Sequence, residues 1–67
     1  MDITEIPTHE LKWDRATAES DKRIVAKLLL FCGDDAERNE LAARIICDAR
    51  VILAIDAELA QRGEADA

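Results

Sequence analysis

The sequence predicts an all-α protein, an antiparallel helical hairpin that dimerises into a four-helix bundle. The chain has 67 residues, of which 49% are apolar but only 3% aromatic, so alanine and aliphatic residues dominate and favour helices. Apolar residues also recur at helical spacing in two segments of similar length, with Gly33 between them. Because so short a chain forms one domain at most, we expect a single helical-hairpin domain over residues 1–67.

The N-terminal half is predicted to hold an arm and the first helix. Residues 1–7 form the arm, which ends at the only proline, and helix 1 covers residues 8–32 with Thr8 as a candidate N-cap. Asp21 points into the apolar side of this helix, at about 100° of rotation per residue. A helix break or a second N-cap at Ser20 and Asp21 is therefore left open.

The C-terminal half is predicted to hold the turn, the second helix and a tail. Gly33 suits the left-handed conformation that ends many helices, so residues 33–35 form the turn. Asp34 or the aspartate after it caps helix 2, which covers residues 35–62, because a carboxylate accepts hydrogen bonds from the first backbone amides of a helix. The remaining residues, 63–67, form a frayed tail that begins with a glycine.

One side of each predicted helix is apolar, and we expect these two sides to face each other. In a hairpin that turns at Gly33, facing residues have numbers that sum to about 67. This register places Trp13 over Ala54 and Ala57. The stripe of helix 1 expected to face helix 2 consists of Trp13, Thr17, Ile24, Leu28 and Phe31, with Ala18, Val25, Leu29 and Cys32 beside it.

Helix 2 has more apolar surface than helix 1 can cover. Its apolar arc spans roughly half of the helix circumference, and a chain of this size often needs a partner subunit to complete its core. Two hairpins packed as a four-helix bundle would cover this arc, so we expect a homodimer. The predicted dimer interface consists of Arg38, Leu41, Ala42, Ile45, Ala49, Ile52, Leu53 and Asp56.

Arg38 and Asp56 are charged residues within the apolar arc of helix 2. If helix 2 packs antiparallel against its own copy near Cys47, facing numbers sum to about 94, and Arg38 faces Asp56 of the partner subunit. We hypothesise an intersubunit ion pair that fixes the register of the dimer. The alternative is that Asp56 pairs within its own chain, with Lys12 or with the N-terminus of helix 1.

Cys32 and Cys47 could form a disulfide, bind a metal ion or remain as two thiols. His9 is the only histidine and no C-x-x-C spacing is present, which argues against a metal site. In the predicted hairpin, Cys47 lies roughly 18 Å along helix 2 from the turn at Cys32, whereas a disulfide needs Cα atoms within about 7 Å. We therefore expect two free thiols.

The charge balance and the motif content narrow the function classes. Acidic residues number 15 and basic residues 9, and the net charge of −6 argues against binding to nucleic acid or to an anionic membrane. We find no phosphate-binding loop, metalloprotease motif or catalytic triad, so we expect neither an enzyme nor a cofactor. The N-terminal segment has no apolar signal-peptide region, and the longest apolar run, Leu28 to Cys32, is too short to span a bilayer, which predicts a cytoplasmic protein.

Apolar residues outside the predicted core indicate a surface that binds another protein. Tryptophan is enriched at the energetic centres of protein interfaces, which draws attention to Trp13. The alternative for the two isoleucines of the arm is that they fold back over the open end of the bundle. The candidate partner-binding residues are Ile3, Ile6, Trp13, Leu30 and Val51.

The two even helices and the acidic turn Gly33-Asp34-Asp35 resemble the Rop-like plasmid copy-number regulators, whose hairpins pair into dimeric four-helix bundles. That resemblance implies RNA binding through a basic face of helix 1. The residues that match such a face are Lys12, Arg15, Lys22, Arg23 and Lys27, and those that interrupt it are Asp14, Glu19 and Asp21.

The short acidic chain is also similar to small phage-encoded proteins that inactivate host factors, such as the quorum-sensing anti-activators that bind a LuxR-type regulator. This resemblance implies a protein that binds and inhibits a transcriptional regulator. We therefore expect a non-enzymatic protein-binding regulator of the phage-inhibitor type. A Rop-like RNA-binding regulator and a structural or assembly subunit are the alternatives.

Overall fold

The computed structural model describes residues 2–63 and shows two antiparallel helices packed against each other. After a 3-10 turn at Ile3–Glu5, helix α1 spans Thr8–Phe31 and helix α2 spans Asp35–Gln61. The Cα atoms extend over 43 × 24 × 14 Å, so the molecule is a plate one helix thick. The prediction of an all-α helical hairpin is confirmed.

Helix α1 begins at Thr8, so its N-cap lies one residue before the predicted one, and the helix runs without a break. Pro7 is the N-cap residue, and its carbonyl accepts hydrogen bonds from the backbone N–H groups of Glu10 and Leu11, both at 3.0 Å. The break left open at Ser20 and Asp21 does not occur. Asp21 instead accepts hydrogen bonds from Arg44 on α2, so its carboxylate is satisfied across the hairpin.

The turn between the helices differs from the prediction at its glycine. Gly33 lies outside the left-handed region, and the one positive φ in residues 2–63 belongs to Gly63, at 78°. The chain leaves α1 in an extended conformation at Cys32 (φ −82°, ψ 126°), whose carbonyl accepts a hydrogen bond from Arg38 at 2.9 Å. Asp34 caps α2 as predicted, because its carboxylate accepts from the backbone N–H of Ala36 at 3.2 Å.

The core of the hairpin lies on a different side of α1 than the sequence predicted. Its residues on α1 are small or aliphatic and recur every seven positions, which is the spacing of a helix pair that stays in contact along its length. The buried residues are Leu11, Ala18 and Val25 on α1 and Ile52, Ile55 and Leu59 on α2.

The stripe expected to face α2 is consequently exposed, which corrects the prediction. With 100° of rotation per residue, this stripe lies about 120° around the axis of α1 from the buried residues. Trp13 is 73% exposed and Phe31 is 87% exposed, so Trp13 does not cover Ala54 and Ala57.

Polar side chains join the two helices on either side of the core. Arg44 binds Asp21 near the middle of the hairpin, and Arg15 donates to Asp56 from Nε at 2.6 Å. Both pairs fit the predicted antiparallel register to within about one helical turn. Asp21, the charged residue that interrupts the apolar pattern of α1, therefore contributes a polar contact between the two helices.

The remaining features of the fold concern membrane-spanning segments and the C-terminal tail. Within residues 2–63, neither helix combines the length and the apolar character that a membrane-spanning segment requires. The predicted frayed tail falls mostly on residues 64–67, which lie outside the described residues.

Candidate protein-binding surfaces

One broad face of the plate carries an uncovered apolar surface on α1. We call it the α1 stripe and define it as Trp13, Thr17, Ile24, Leu28 and Phe31, which are all exposed. Because these residues recur at helical spacing, they form one continuous strip along the helix. Large apolar side chains gathered in this way are typical of a surface that another protein covers.

The N-terminal half of the α1 stripe contains a shallow depression between Trp13 and Ile24. The residues that line it are Trp13, Ala16, Thr17, Ser20, Asp21 and Ile24. Its volume is about 370 Å³, enough for one or two apolar side chains of a partner. The stripe therefore has the relief that helix packing uses, in which a projecting side chain enters a gap between neighbours.

The outer edge of the α1 stripe is basic. Arg23 and Lys27 lie beside it at helical spacing and are exposed. No described carboxylate lies within 4.0 Å of either cation, whereas Lys22 pairs with Glu19 and Arg15 pairs with Asp56. Arg23 and Lys27 are thus the cations of α1 that can bind acidic groups on a partner.

The opposite face of the plate carries a second apolar surface, on α2. Leu53 is 69% exposed and Ile46 is 52% exposed, and alanines separate them. These residues lie on the same side of α2 as Asp56, whereas the α1 stripe lies on the side where Asp21 meets Arg44. We call this surface the α2 stripe; it consists of Ala42, Ile46, Ala49, Leu53 and Ala60.

The structure brings together three of the five predicted partner-binding residues. Ile3 and Ile6 pack against the core cluster around Leu11, as the alternative interpretation of the arm proposed. Together with Val51 they line a second open depression of about 350 Å³. Trp13 belongs to the α1 stripe, and Leu30, which is 80% exposed, lines neither depression.

Arg62 holds the arm in this position. Its guanidinium donates to Glu58 at 2.8 Å, to the hydroxyl of Thr8 at 3.1 Å, and to the backbone carbonyls of Ile3 and Thr4, both at 3.2 Å. One side chain near the end of α2 therefore joins the 3-10 turn and the start of α1.

The predicted dimer-interface residues occupy different positions in the hairpin. Ile52 is buried within the hairpin itself, whereas Leu53 is exposed on the α2 stripe. Leu41, Ala42, Ile45 and Ala49 are partly buried. Ile46, Ile24, Leu28 and Phe31 are exposed apolar residues that the sequence did not assign to any binding surface. The seven-residue spacing of Leu11, Ala18 and Val25 is the pattern that could have identified the true core side.

Asp56 pairs within its own chain, as the alternative interpretation proposed, but with a residue that this interpretation did not name. That residue is Arg15, which contacts both carboxylate oxygens, at 2.6 and 3.3 Å. The hydrogen bond from Arg15 lowers the pKa of Asp56, and it raises the pKa of Arg15 in turn. Arg38 binds the carbonyl of Cys32. The intersubunit pair between Arg38 and Asp56 stays a prediction.

A second aspartate, Asp48, interrupts the apolar seam of α2. Its Oδ2 is buried and finds no hydrogen-bond donor among the described residues. The pKa of Asp48 is raised, first because it shares a hydrogen bond with Asp21 and further because it is partly desolvated. Arg44 holds Asp21 ionised and lowers its pKa. Asp48 is therefore the carboxyl group of the pair that retains a proton to higher pH.

These pKa shifts predict opposite effects of two matched substitutions. Because the folded-state pKa of Asp48 is raised, its stabilising contribution is present when it is protonated and is lost as the pH rises. Asp48→Asn, which keeps a neutral hydrogen-bond donor, should raise Tm at pH 7, and the gain should shrink as the pH falls through the pKa of Asp48. Thermal unfolding by circular dichroism across the acidic range measures both effects.

Asp56→Asn is the control, because the pKa of Asp56 is lowered and its contribution is lost as the pH falls. It should lower Tm at pH 7, with a deficit that shrinks towards acid. A gain in Tm for Asp56→Asn, or a loss for Asp48→Asn, would contradict these assignments.

The two cysteines are unbridged in the structure. Cys47 is exposed and Cys32 is half-buried, next to the turn, where its thiol donates to the carbonyl of Asp34 at 3.4 Å. The expectation of two separate thiols within one hairpin agrees with this placement.

Comparison of the chain with known protein families, with curated protein sequences and with solved structures finds no match.

Proposed function

We propose that the protein is a small non-enzymatic regulator that binds another protein through the α1 stripe and acts as a homodimer in the cytoplasm. The observation that carries this proposal is the exposure of Trp13, Ile24, Leu28 and Phe31 along one side of α1. A helix that lays such a side into a groove or against another helix is a common mode of protein recognition.

The residue types of the α1 stripe support a role in binding. Trp13 at the edge of a depression is the kind of rigid aromatic side chain that provides much of the energy of an interface. The side chains of Leu28 and Phe31 extend the contact beyond Ile24 by about two helical turns. Their burial by a partner would stabilise the complex by roughly 25 cal/mol for each Å² of apolar surface removed from water, before the cost of association.

The charges beside the stripe indicate what the partner offers. Arg23 and Lys27 favour a target segment that is amphipathic, with acidic side chains along the edge that meets them. An amphipathic helix with aliphatic residues at helical spacing fits both the depression and this basic edge. Following the resemblance to small phage-encoded inhibitors, a transcriptional regulator is the first target class to test.

The basic residues of α1 favour protein binding over Rop-like RNA binding. Two of the five cations that the resemblance implies, Arg15 and Lys22, are already paired with carboxylates of the chain. A phosphate-binding face would need several free cations together, because affinity for RNA depends on the number of phosphates neutralised.

The test is to compare wild type with Ile24→Glu, in which a charge is placed in the middle of the α1 stripe. Proteins retained by the tagged wild type are identified by mass spectrometry, and the specific candidate is then purified and titrated. We expect Ile24→Glu to weaken its binding at least about 100-fold, since an unpaired charge would be buried in the interface. Trp13 is the only tryptophan, so its fluorescence should also become protected from iodide when the target binds.

Ala26→Glu is the matched control, because Ala26 is exposed on the opposite side of the same helix. It should bind the target as wild type does. Equal binding by Ile24→Glu and wild type, or a Trp13 that stays fully quenchable in the complex, would refute the proposal. Recovery of nucleic acid instead of protein by the tagged wild type, with an affinity that falls steeply as the salt concentration rises, would support the RNA-binding alternative.

A further inference from the structure

We propose that the α2 stripe is covered by α2 of a second copy of the chain, packed antiparallel about a twofold axis near Cys47 and Asp48. This inference deepens the proposed function, because it assigns the surface through which the homodimer forms. It leaves the α1 stripe, on the other face of each plate, open to the target.

The length and the position of α2 suit this arrangement. Helix α2 has 27 residues, about 40 Å of helix, and residue 48 is its midpoint. Two antiparallel copies crossing at their midpoints overlap over nearly their whole length. Facing residues then have numbers that sum to about 95. Stable interfaces bury roughly 800 Å² per partner, and a contact along most of a helix of this length is the kind that can reach this area.

The side chains of the α2 stripe are complementary to themselves in this register. Leu53 faces the partner's Ala42, and Ile46 faces the partner's Ala49. Each large residue therefore meets an alanine, and the twofold axis repeats both contacts. Large side chains against small ones let helices approach closely without leaving voids. A register shifted by one turn would bring Ile46 against the partner's Leu53 and would force the helices apart.

The charges at the edge of the α2 stripe agree with the same register. Arg38 comes level with the partner's Asp56 when facing numbers sum to about 94 or 95. Asp56 is already held in place by Arg15 of its own chain, and its side chain is still 46% exposed. A second guanidinium can therefore join the carboxylate, which has lone pairs for several donors. The intrachain pair and the predicted intersubunit pair are compatible, because Asp56 can accept from two guanidinium groups, and because Arg38 has further N–H groups beyond the one that binds the carbonyl of Cys32.

The composition of the hairpin core argues for a second copy as the occupant. The described core contains six buried apolar residues, and one of these is an alanine. So small a core gives a single hairpin marginal stability. A second copy of the chain is always present at equal concentration. Its α2 stripe also matches the first copy's α2 stripe in side-chain size and in charge.

Sedimentation of the full-length protein tests the surface. Wild type should sediment as a dimer that dissociates on dilution. Leu53→Glu should raise the dimer dissociation constant at least about 100-fold, because two unpaired charges would be buried across the axis. The matched control is Ile24→Glu, an aliphatic residue of similar exposure on the α1 stripe, which should remain a dimer. Circular dichroism confirms that each variant stays helical.

A cysteine cross-link tests the register independently of Leu53. In a background with Cys32→Ser and Cys47→Ser, Ile46→Cys lies next to the partner's equivalent residue across the twofold axis and should oxidise to a covalent dimer. Ala43→Cys, exposed on the same helix but about one turn further from the axis, should not. Efficient cross-linking at position 43, or a monomeric wild type at every concentration, would overturn the inference.

The two sets of variants separate this inference from the proposed function. Loss of the dimer in Ile24→Glu, with Leu53→Glu unaffected, would show that the α1 stripe is the dimer interface and would overturn the inference. If Ile24→Glu loses target binding but remains a dimer, the result would support both the proposed function and the proposed dimer interface. A dimer that behaves as expected but finds no target would leave the inference standing and contradict only the proposed function.

Discussion

Replacing Leu11 with alanine is expected to lower the free energy of unfolding by about 3 kcal/mol, because the leucine is almost fully buried and a cavity would remain. Leu11 lies in the cluster with Ile55 and Leu59, against which Ile3 and Ile6 pack. A domain of this length has a total stability of roughly 3–10 kcal/mol. The variant should therefore lose about a third or more of its stability and unfold at a clearly lower temperature than wild type.

Leu30→Ala provides a matched control for this substitution. The same atoms are removed from the same helix, but Leu30 is 80% exposed. The free energy of unfolding should change by no more than about 0.5 kcal/mol. Chemical denaturation followed by circular dichroism measures both values at one protein concentration, which matters because a dimer gains stability with concentration. Similar losses for the two variants would contradict the placement of the core.

Arg62→Ala is expected to have the next largest effect, a loss of about 2 kcal/mol. The guanidinium makes charge-assisted hydrogen bonds to Glu58, to Thr8 and to two carbonyls of the arm, and charged hydrogen bonds are the stronger ones in proteins. Its removal leaves these acceptors unpaired and releases the 3-10 turn. Ile3 and Ile6 would then leave the core cluster, so part of the loss comes from their exposure.

Hydrogen exchange separates release of the arm from general destabilisation. The backbone N–H of Ile6 donates to the carbonyl of Ile3 at 3.2 Å. In Arg62→Ala this amide should exchange much faster, while amides in the middle of α2 should change only in proportion to global stability. Arg50→Ala, an exposed arginine on the same helix, is the control and should leave the Ile6 amide unchanged. A protected Ile6 amide in Arg62→Ala would show that something else holds the arm.

The helices and their register could be predicted because they depend on local chemistry and on chain length. A single proline before α1, a glycine and two aspartates at the turn, and apolar residues at helical spacing set the boundaries. Once the turn is placed, the antiparallel register follows from the rise per residue. The backbone conformation at Gly33 could not be predicted in this way, because the contacts around the turn include a hydrogen bond from Arg38 on α2 to the carbonyl of Cys32, which local residue types do not indicate.

The side of α1 that faces α2 was predicted wrongly, for a physical reason. The more hydrophobic side, which carries Trp13, Ile24 and Phe31, was taken as the core. The structure instead buries the side with Ala18 and Val25, on which Arg15 and Asp21 also reach their partners on α2. The same side carries both ion pairs to α2, so a count of apolar side chains alone does not identify the buried side.

The candidate binding surface on α1 follows from the difference between the predicted and the observed buried side of this helix. Because the largest apolar residues of α1 do not enter the core, they form the α1 stripe, and sequence patterning alone cannot separate a stripe that faces the core from one that faces a partner. Trp13 was assigned to both roles from the sequence. The assignment of Ile3 and Ile6 depended on contacts between the arm and the end of α2, which only the folded chain shows.

The most direct test of the central claim is the solvent accessibility of Trp13 in the free protein. The side chain is 73% exposed, and a dimer formed through the α2 stripe would leave it so. We expect the emission maximum and the iodide quenching constant of Trp13 to approach those of a free tryptophan analogue, at concentrations both above and below dimer dissociation. A blue-shifted emission that iodide cannot quench would show that the α1 stripe is buried, in the core or against a second copy, and would contradict the account.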